Sequence, residues 1–345
     1  MYLQLHRLMI HLDSEDTAVN QEWQRLFDGW LVAEPHHADI QLQLALVDAL
    51  STLPNTSPVF TDSRSLPDDI GVLSVYAAEP GAVWLHYHDG ALVKVLLVDF
   101  DAEVEEETEN LDVSSRPARI NNISGMVMPS VSAYGRLEDI TFTSLAPALR
   151  RQGYYLVHAF AVAKNGRAVL VVGASGSGKT TTGLSLLLNG WKLLANDILL
   201  LERRADGLYA LPTPGGVSIR PATFSLLPAL QDWLGALPSS GKVNVSGQQL
   251  SRGQWAEPVR VELVLLPQIE AARPCCQLQS ANRAVALARL LEESADRWDA
   301  AALAAHVDVM QVLSRQTAVY HLLLGRDVVN LSRLIEGVFV KRDDT

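Results

Sequence analysis

The chain has 345 residues, of which 48% are hydrophobic and 19% charged, and its formal net charge is −11. That length allows a large core and a first expectation of two domains, with no low-complexity tract to suggest disorder. The acidic balance argues against nucleic acid as a main partner. No apolar run approaches the roughly 18 residues that span a bilayer, which argues against a membrane.

The first residues, Met1-Tyr2-Leu3-Gln4-Leu5-His6, lack the basic and apolar regions of a signal peptide. Residues 1–145 read as a smaller α+β domain without a strong chemical signature. Glu22 to Leu31 spaces its apolar residues for one buried helical face, and Asp39 to Leu46 alternates like a strand. Pro54 to Asp69 reads as a long loop. Val83 to His88 and Ala91 to Val98 flank Asp89-Gly90, a hairpin signal. His86 and His88 share a strand face but lack a third ligand in register, so a half-exposed face is the expectation. Leu96-Leu97-Val98-Asp99 has the wording of a Walker B strand, but it lies upstream in the other domain and is set aside. The acidic run from Asp99 to Glu109 reads as a solvated edge.

The second domain is expected from residue 146. Leu145 to Gly153 reads as a helix with Pro147 near its start and Gly153 as its cap. Tyr154 to Ala163 reads as a strand, and Lys164-Asn165-Gly166-Arg167 as the turn into the next one. That next strand, Val169-Leu170-Val171-Val172, feeds Gly173-Ala174-Ser175-Gly176-Ser177-Gly178-Lys179-Thr180-Thr181, and a helix follows. Gly173, four residues, Gly178, Lys179 and Thr180 fit the phosphate-binding loop in its strand-turn-helix context. Glycines let backbone N–H groups turn toward phosphate oxygens, and the helix start adds partial positive charge. Lys179 is placed to reach the β- and γ-phosphates, and the Thr180 hydroxyl to coordinate Mg²⁺.

Further along, Trp191 to Glu202 reads as a buried strand interrupted by Asn196-Asp197. A polar pair there needs partners, and Mg²⁺ with a nucleotide would supply them; the alternative is a turn between two short strands. Leu208 to Leu211 and Val217 to Ile219 read as strands, and Pro238 to Gly253 as a mobile loop with one cation, Lys242. Val259 to Pro267 reads as a core strand, Ala281 to His306 as helical, Tyr320 to Leu324 as a short strand and Leu331 to Phe339 as a last helix. The two cysteines, Cys275 and Cys276, are adjacent and poorly placed for an ordinary disulfide. They read as reduced thiols of a cytoplasmic protein.

In the order of these pieces, residues 150 to 345 resemble the kinase domain of HPr kinase/phosphorylase and its relatives, some of which modify ribosomally made peptides. His158-Ala159 stands where the family has a His-Gly pair, and Gly173 to Thr180 matches its phosphate loop. Asn196-Asp197 falls where the family usually carries two aspartates, while Arg220 and Lys242 resemble basic residues in the peptide-modifying branch. The resemblance implies an α/β fold with a phosphoenolpyruvate-carboxykinase-like P-loop core. It further implies ATP and Mg²⁺ as cofactors, with Thr180 and Asp197 on the metal and His158 near the γ-phosphate. Arg220 and Lys242 would neutralise the transferring group, and the acceptor would be a serine of a small protein or peptide. No counterpart of the signature behind the family's phosphorylase activity is found, so kinase activity without efficient phosphorylase activity is expected.

Asn196 departs from the family, because an amide cannot take a proton at neutral pH. Asp197 then does both jobs, or base help is small, or ATP binds without transfer. The leading expectation is an ATP-dependent kinase, and the alternative is a nucleotide-binding regulatory or scaffold protein. A homo-oligomer is compatible with either. A transport or motor ATPase fits less well, since no Leu-Ser-Gly-Gly-Gln signature or later strand ending in Asp-Glu follows the loop.

Overall fold

The computed structural model describes residues 1–62, 72–97, 121–132, 136–235, 241–270, 272–294 and 298–343. The Walker-B-like Asp99 and the acidic run to Glu109 lie outside these residues. The chain forms two compact units, residues 1–153 with 297–302, and residues 154–296 with 303–345. The division falls at the end of a helix, eight residues beyond the expected boundary at 145.

The first unit is a nine-stranded mixed sheet. Its elements are β1 (Tyr2–Leu5), β2 (Leu8–Asp13), α1 (Thr17–Leu26), β3 (Leu31–Val32), β4 (Ile40–Leu46), β5 (Phe60–Asp62), β6 (Leu73–Glu79), β7 (Ala82–Tyr87), β8 (Ala91–Leu96), β9 (Asn121–Val127) and α2 (Arg136–Arg151). The strand order is β3-β1-β2-β4-β9-β8-β7-β6-β5. β2 and β4 run parallel, so their connection crosses over, and α1 lies in that crossover. The alternation read in β4 is real: Ile40, Leu42 and Leu44 are buried. The Trp23 indole of α1 donates to Thr141 Oγ1 of α2 at 3.0 Å, and Phe27 meets Phe142 edge to face. The Asp89-Gly90 hairpin forms as expected. The expected helix at 22–31 instead starts at Thr17, where Asp16 caps it, and ends at Leu26. Pro147 sits well inside α2 and not at its start, and Arg151 Nη1 reaches back to the Pro147 carbonyl at 3.1 Å.

The second unit holds β10 (Tyr154–Lys164), β11 (Arg167–Val172), α3 (Lys179–Leu188), β12 (Lys192–Ala195), β13 (Ile198–Arg204), β14 (Gly207–Leu211), β15 (Gly216–Ile219), α4 (Pro221–Leu226), α5 (Ala229–Leu234), β16 (Val243–Ser246), α6 (Gly247–Ser251), β17 (Val259–Ile269), β18 (Gln277–Ser280), α7 (Arg283–Glu292), α8 (Ala300–Gln316), β19 (Ala318–Leu324) and α9 (Leu331–Asp343). β11, β10, β13, β14 and β17 pair in a closed ring, because β17 also pairs with β11. β11, β17 and β19 are parallel, so their carboxyl ends lie together. Alternate residues of β11 serve two cores: Val169 and Val171 join α3 and α9, while Leu170 and Val172 join α7 and α8. A strand buried on both faces explains its unbroken apolar run.

Two expectations change. The stretch read as a mobile loop contains β16, paired with β15, and α6, closed by a Ser246/Gln249 capping box. The helical segment 281–306 is two helices, since α7 ends at Glu292 and α8 begins at Ala300.

Candidate functional site

The glycine-rich loop of residues 173–178 leaves the carboxyl end of β11, the usual ligand side of a parallel sheet. Gly178 caps α3 in the left-handed region at φ 109°, and a Cβ there would collide with the Leu324 side chain. Ser177 N closes the loop on Ala174 O at 3.1 Å. Ala174, Ser175 and Gly176 are exposed, while Thr180 and Thr181 are half-buried in the first turn of α3. Lys179 is buried and its ammonium donates to Gly173 O. Burial pushes its pKa down, and the nearby carboxylates Asp197 and Glu293 only partly oppose that. Ser177 Oγ is buried with no hydrogen-bond partner. A poorly matched ammonium and an orphaned hydroxyl around a glycine turn at a helix start fit a bound anion.

The register along β10 shifts at Ala161/Val162, and from there residues 195–204 follow it in one register: Ala195 lies opposite Ala161, and Ile198 opposite His158. Between them Ala159 N donates to Asp197 O at 2.9 Å. Asn196-Asp197 therefore interrupts a single strand edge and does not turn away from it. The register presents Asp197 to His158, whose Nε2 is 2.7 Å from Asp197 Oδ1. His158 Nδ1 is 3.0 Å from Glu293 Oε2, and His158 N donates to Glu293 O at 3.0 Å. Ionised carboxylates only accept, so a ring bridging two of them carries both protons. The Asp197 charge raises the His158 pKa to about 9 against the opposing effect of burial. Burial alone would raise the Asp197 pKa, but His158 and Lys179 hold it below the usual carboxylate value. The Asp197 side chain is 54% exposed and Glu293 only 8%, so Asp197 faces solvent and Glu293 stands behind the ring.

Asn196 is buried and its Nδ2 donates to Gly216 O at the start of β15. Along that strand Ile219 lies opposite Val243 of β16, which leaves Arg220 and Lys242 as the next residues on the two strands. Both are exposed. Arg220 also immediately precedes α4, and Thr223 Oγ1 of α4 lies 3.2 Å from Thr181 Oγ1 of α3.

Lys179, His158 and Asp197 thus converge, while Arg220 and Lys242 stand side by side at the end of the β15–β16 ribbon. Glu293 was not legible in the sequence. It follows the last residue of a surface helix, 135 residues from His158, and no local pattern marks it. Among the described residues, no group of three or more His, Cys, Asp or Glu side chains is placed to hold a metal ion. A phosphate-bound Mg²⁺ site does not need one, because substrate oxygens and water fill most positions. His86 and His88 stack at 4.7 Å, and His88 Nε2 is taken up by Ser74 Oγ at 2.9 Å. Among the described residues no helix is long and apolar enough to cross a membrane.

No family model matches the chain. No curated protein matches it in sequence. Among solved structures it is similar to the Hpr(Ser) kinase/phosphatase from Coxiella burnetii, at 12% identity and a TM-score of 0.28, over 55% of this chain and 98% of that one. That is a distant likeness, too low in TM-score to carry an argument about this chain.

Proposed function

We propose that the chain is an ATP-dependent phosphotransferase that moves the γ-phosphate of Mg-ATP to a hydroxyl, with a serine of a small protein or peptide as the expected acceptor. We assign residues 146–345 a phosphoenolpyruvate-carboxykinase-like P-loop kinase core and leave the first unit without a role. The observation that carries the reading is the meeting of Lys179 with the His158–Asp197 pair at the mouth of the phosphate loop.

The loop residues Gly173 to Thr181 and Lys179 would hold the phosphates, and Thr180 and Asp197 the metal. Mg-ATP, when bound, supplies the transferable phosphoryl group and a divalent charge. Lys179 stabilises charge that develops on the transferring group, since a buried ammonium acts in a low dielectric. His158 carries both ring protons, so it serves as a cation and orients Asp197; it is not the base. Asp197, with its lowered pKa, is a weak base that can still orient an acceptor hydroxyl. A loose transition state asks little more. Arg220 and Lys242 would bring positive charge to the acceptor side.

One observation favours a second reading, a nucleotide-binding regulatory protein: Asn196 faces a backbone carbonyl and offers no base. Incubation with γ-labelled ATP, Mg²⁺ and candidate peptides or small proteins, followed by mass spectrometry, separates the two. A phosphoserine in the acceptor is the expected result. Tight Mg-ATP binding with no transfer to any acceptor would leave the regulatory reading standing.

A further inference from the structure

We infer that Asn196 is a positioning residue that fixes the Arg220/Lys242 ribbon against the strand edge carrying Asp197. This deepens the phosphotransfer reading and rests on it for the kinetic part of its test. The Gly216 carbonyl can only accept, so the Asn196 side chain must turn its nitrogen toward it. Because Asn196 is buried, water cannot easily replace that bond. An aspartate has the same shape but would set a second acceptor against the carbonyl. The amide is therefore the residue type this contact requires, and it is not merely a carboxylate lost.

The consequence is mechanical. Gly216 opens β15, and four residues later the strand delivers Arg220, with Lys242 on the neighbouring strand. Val217, Ile219 and Val245 set the apolar face of the ribbon on the core around α3. Apolar packing is non-directional, so it holds the ribbon down without deciding where along the surface it sits. Directional contacts do that, among them Asn196 on Gly216 and the Thr213 N–H on Leu194 O at 2.8 Å at one end, and Thr181 with Thr223 just past the other. Asn196 is also the immediate neighbour of Asp197. One dipeptide thus places the carboxylate and, through the ribbon, the two cations proposed to serve the same reaction.

The test compares wild type with Asn196→Asp and Asn196→Ala by amide hydrogen exchange of the free protein. Residues 216–219 and 243–246 are expected to exchange on the order of tenfold faster in both variants, the size of one lost buried hydrogen bond. Amides of β11 and α3 should hold their protection. Unchanged exchange in the ribbon would overturn the inference. So would loss of protection throughout the unit, because Asn196 would then be a general stability residue. In the kinetic arm, Asn196→Asp should lower kcat about tenfold while the KM for ATP stays within about twofold. Placed on an Arg220→Ala/Lys242→Ala background, the same substitution should cost no more than about twofold further. Full additivity on that background would show that Asn196 does not act through the two cations, and would also overturn it. If wild type transfers no phosphate at all, the phosphotransfer reading falls, and the exchange arm still decides the role of Asn196.

Discussion

Both units bury cations, and Arg136 of the first and Lys179 of the second are served in opposite ways. In the first, Arg136 bonds both oxygens of Asp89, at 2.6 and 3.2 Å, and also Asp139, while its guanidinium lies over the Tyr87 ring. Burial alone would weaken its hold on its proton, yet the two carboxylates more than reverse that. In the second, Lys179 finds a backbone carbonyl, and its pKa falls because the carboxylates around it do not make up for burial. Arg136 has its partners and ties the β7–β8 hairpin turn to α2. Lys179 rests on a backbone carbonyl, a poor match for an ammonium that suits the phosphate proposed for this loop.

The contrast can be broken at either cation. Arg136→Ala should cost about 3 kcal/mol of unfolding free energy, because it strands the largely covered Asp89 carboxylate. Denaturant titration would measure this, with nucleotide binding retained below the transition. A loss under 1 kcal/mol would mean that the arginine is not the anchor its contacts describe. Lys179→Ala should do the reverse. Phosphotransfer should fall by about 3–4 kcal/mol of barrier, a hundredfold or more in rate, with little change in the denaturation midpoint. Full activity in that variant would remove the phosphate loop from the mechanism.

Two smaller effects sharpen the picture around Asp197 and Glu293. Asp197→Asn should abolish the Mg²⁺ dependence of ATP binding more than the binding itself, since the loop and Lys179 remain. Calorimetry with and without Mg²⁺ decides this, and an unchanged Mg²⁺ dependence would rule out Asp197 as a ligand. Glu293→Gln should slow turnover about tenfold, the scale of one charge-assisted hydrogen bond, and it should also change a pH profile. The folded His158 pKa, about 9, lies above the ordinary 6.5, so its contribution to stability is complete below about pH 6.5 and is lost as pH rises through 9. The lowered Asp197 pKa describes the same contact from the other side, with stability lost only as pH falls through that value. The ring is a third exposed, so the effect on the midpoint should be small. In Glu293→Gln the alkaline decline should begin at lower pH. A decline at the wild-type pH would mean that Glu293 does not help to hold the ring protonated.

Much of the second unit was legible because its signals are local. An apolar run, a turn of fixed glycines and the lysine after it lie within a dozen residues, and backbone sterics leave such a string few ways to fold. The Asp89-Gly90 hairpin and the alternation of β4 were readable for the same reason. Pro147 misled, because a proline is tolerated inside a helix that the surrounding packing holds, and packing is not local. The β15–β16 ribbon was hidden in a polar stretch, since what makes Val243 to Ser246 a strand is a partner 24 residues or more upstream. The identity of the site divides in the same way. Sequence alone determined that Lys179 and Thr180 stand at a helix start behind a glycine-rich loop, because geometry of that kind is written in consecutive residues. Only the tertiary structure decided that Asp197 meets His158, that Glu293 stands behind the ring, and that Asn196 spends its amide on a backbone carbonyl. Those contacts depend on strand register and on where a distant helix ends, and both are set by the burial of two cores and not by any neighbour in the chain.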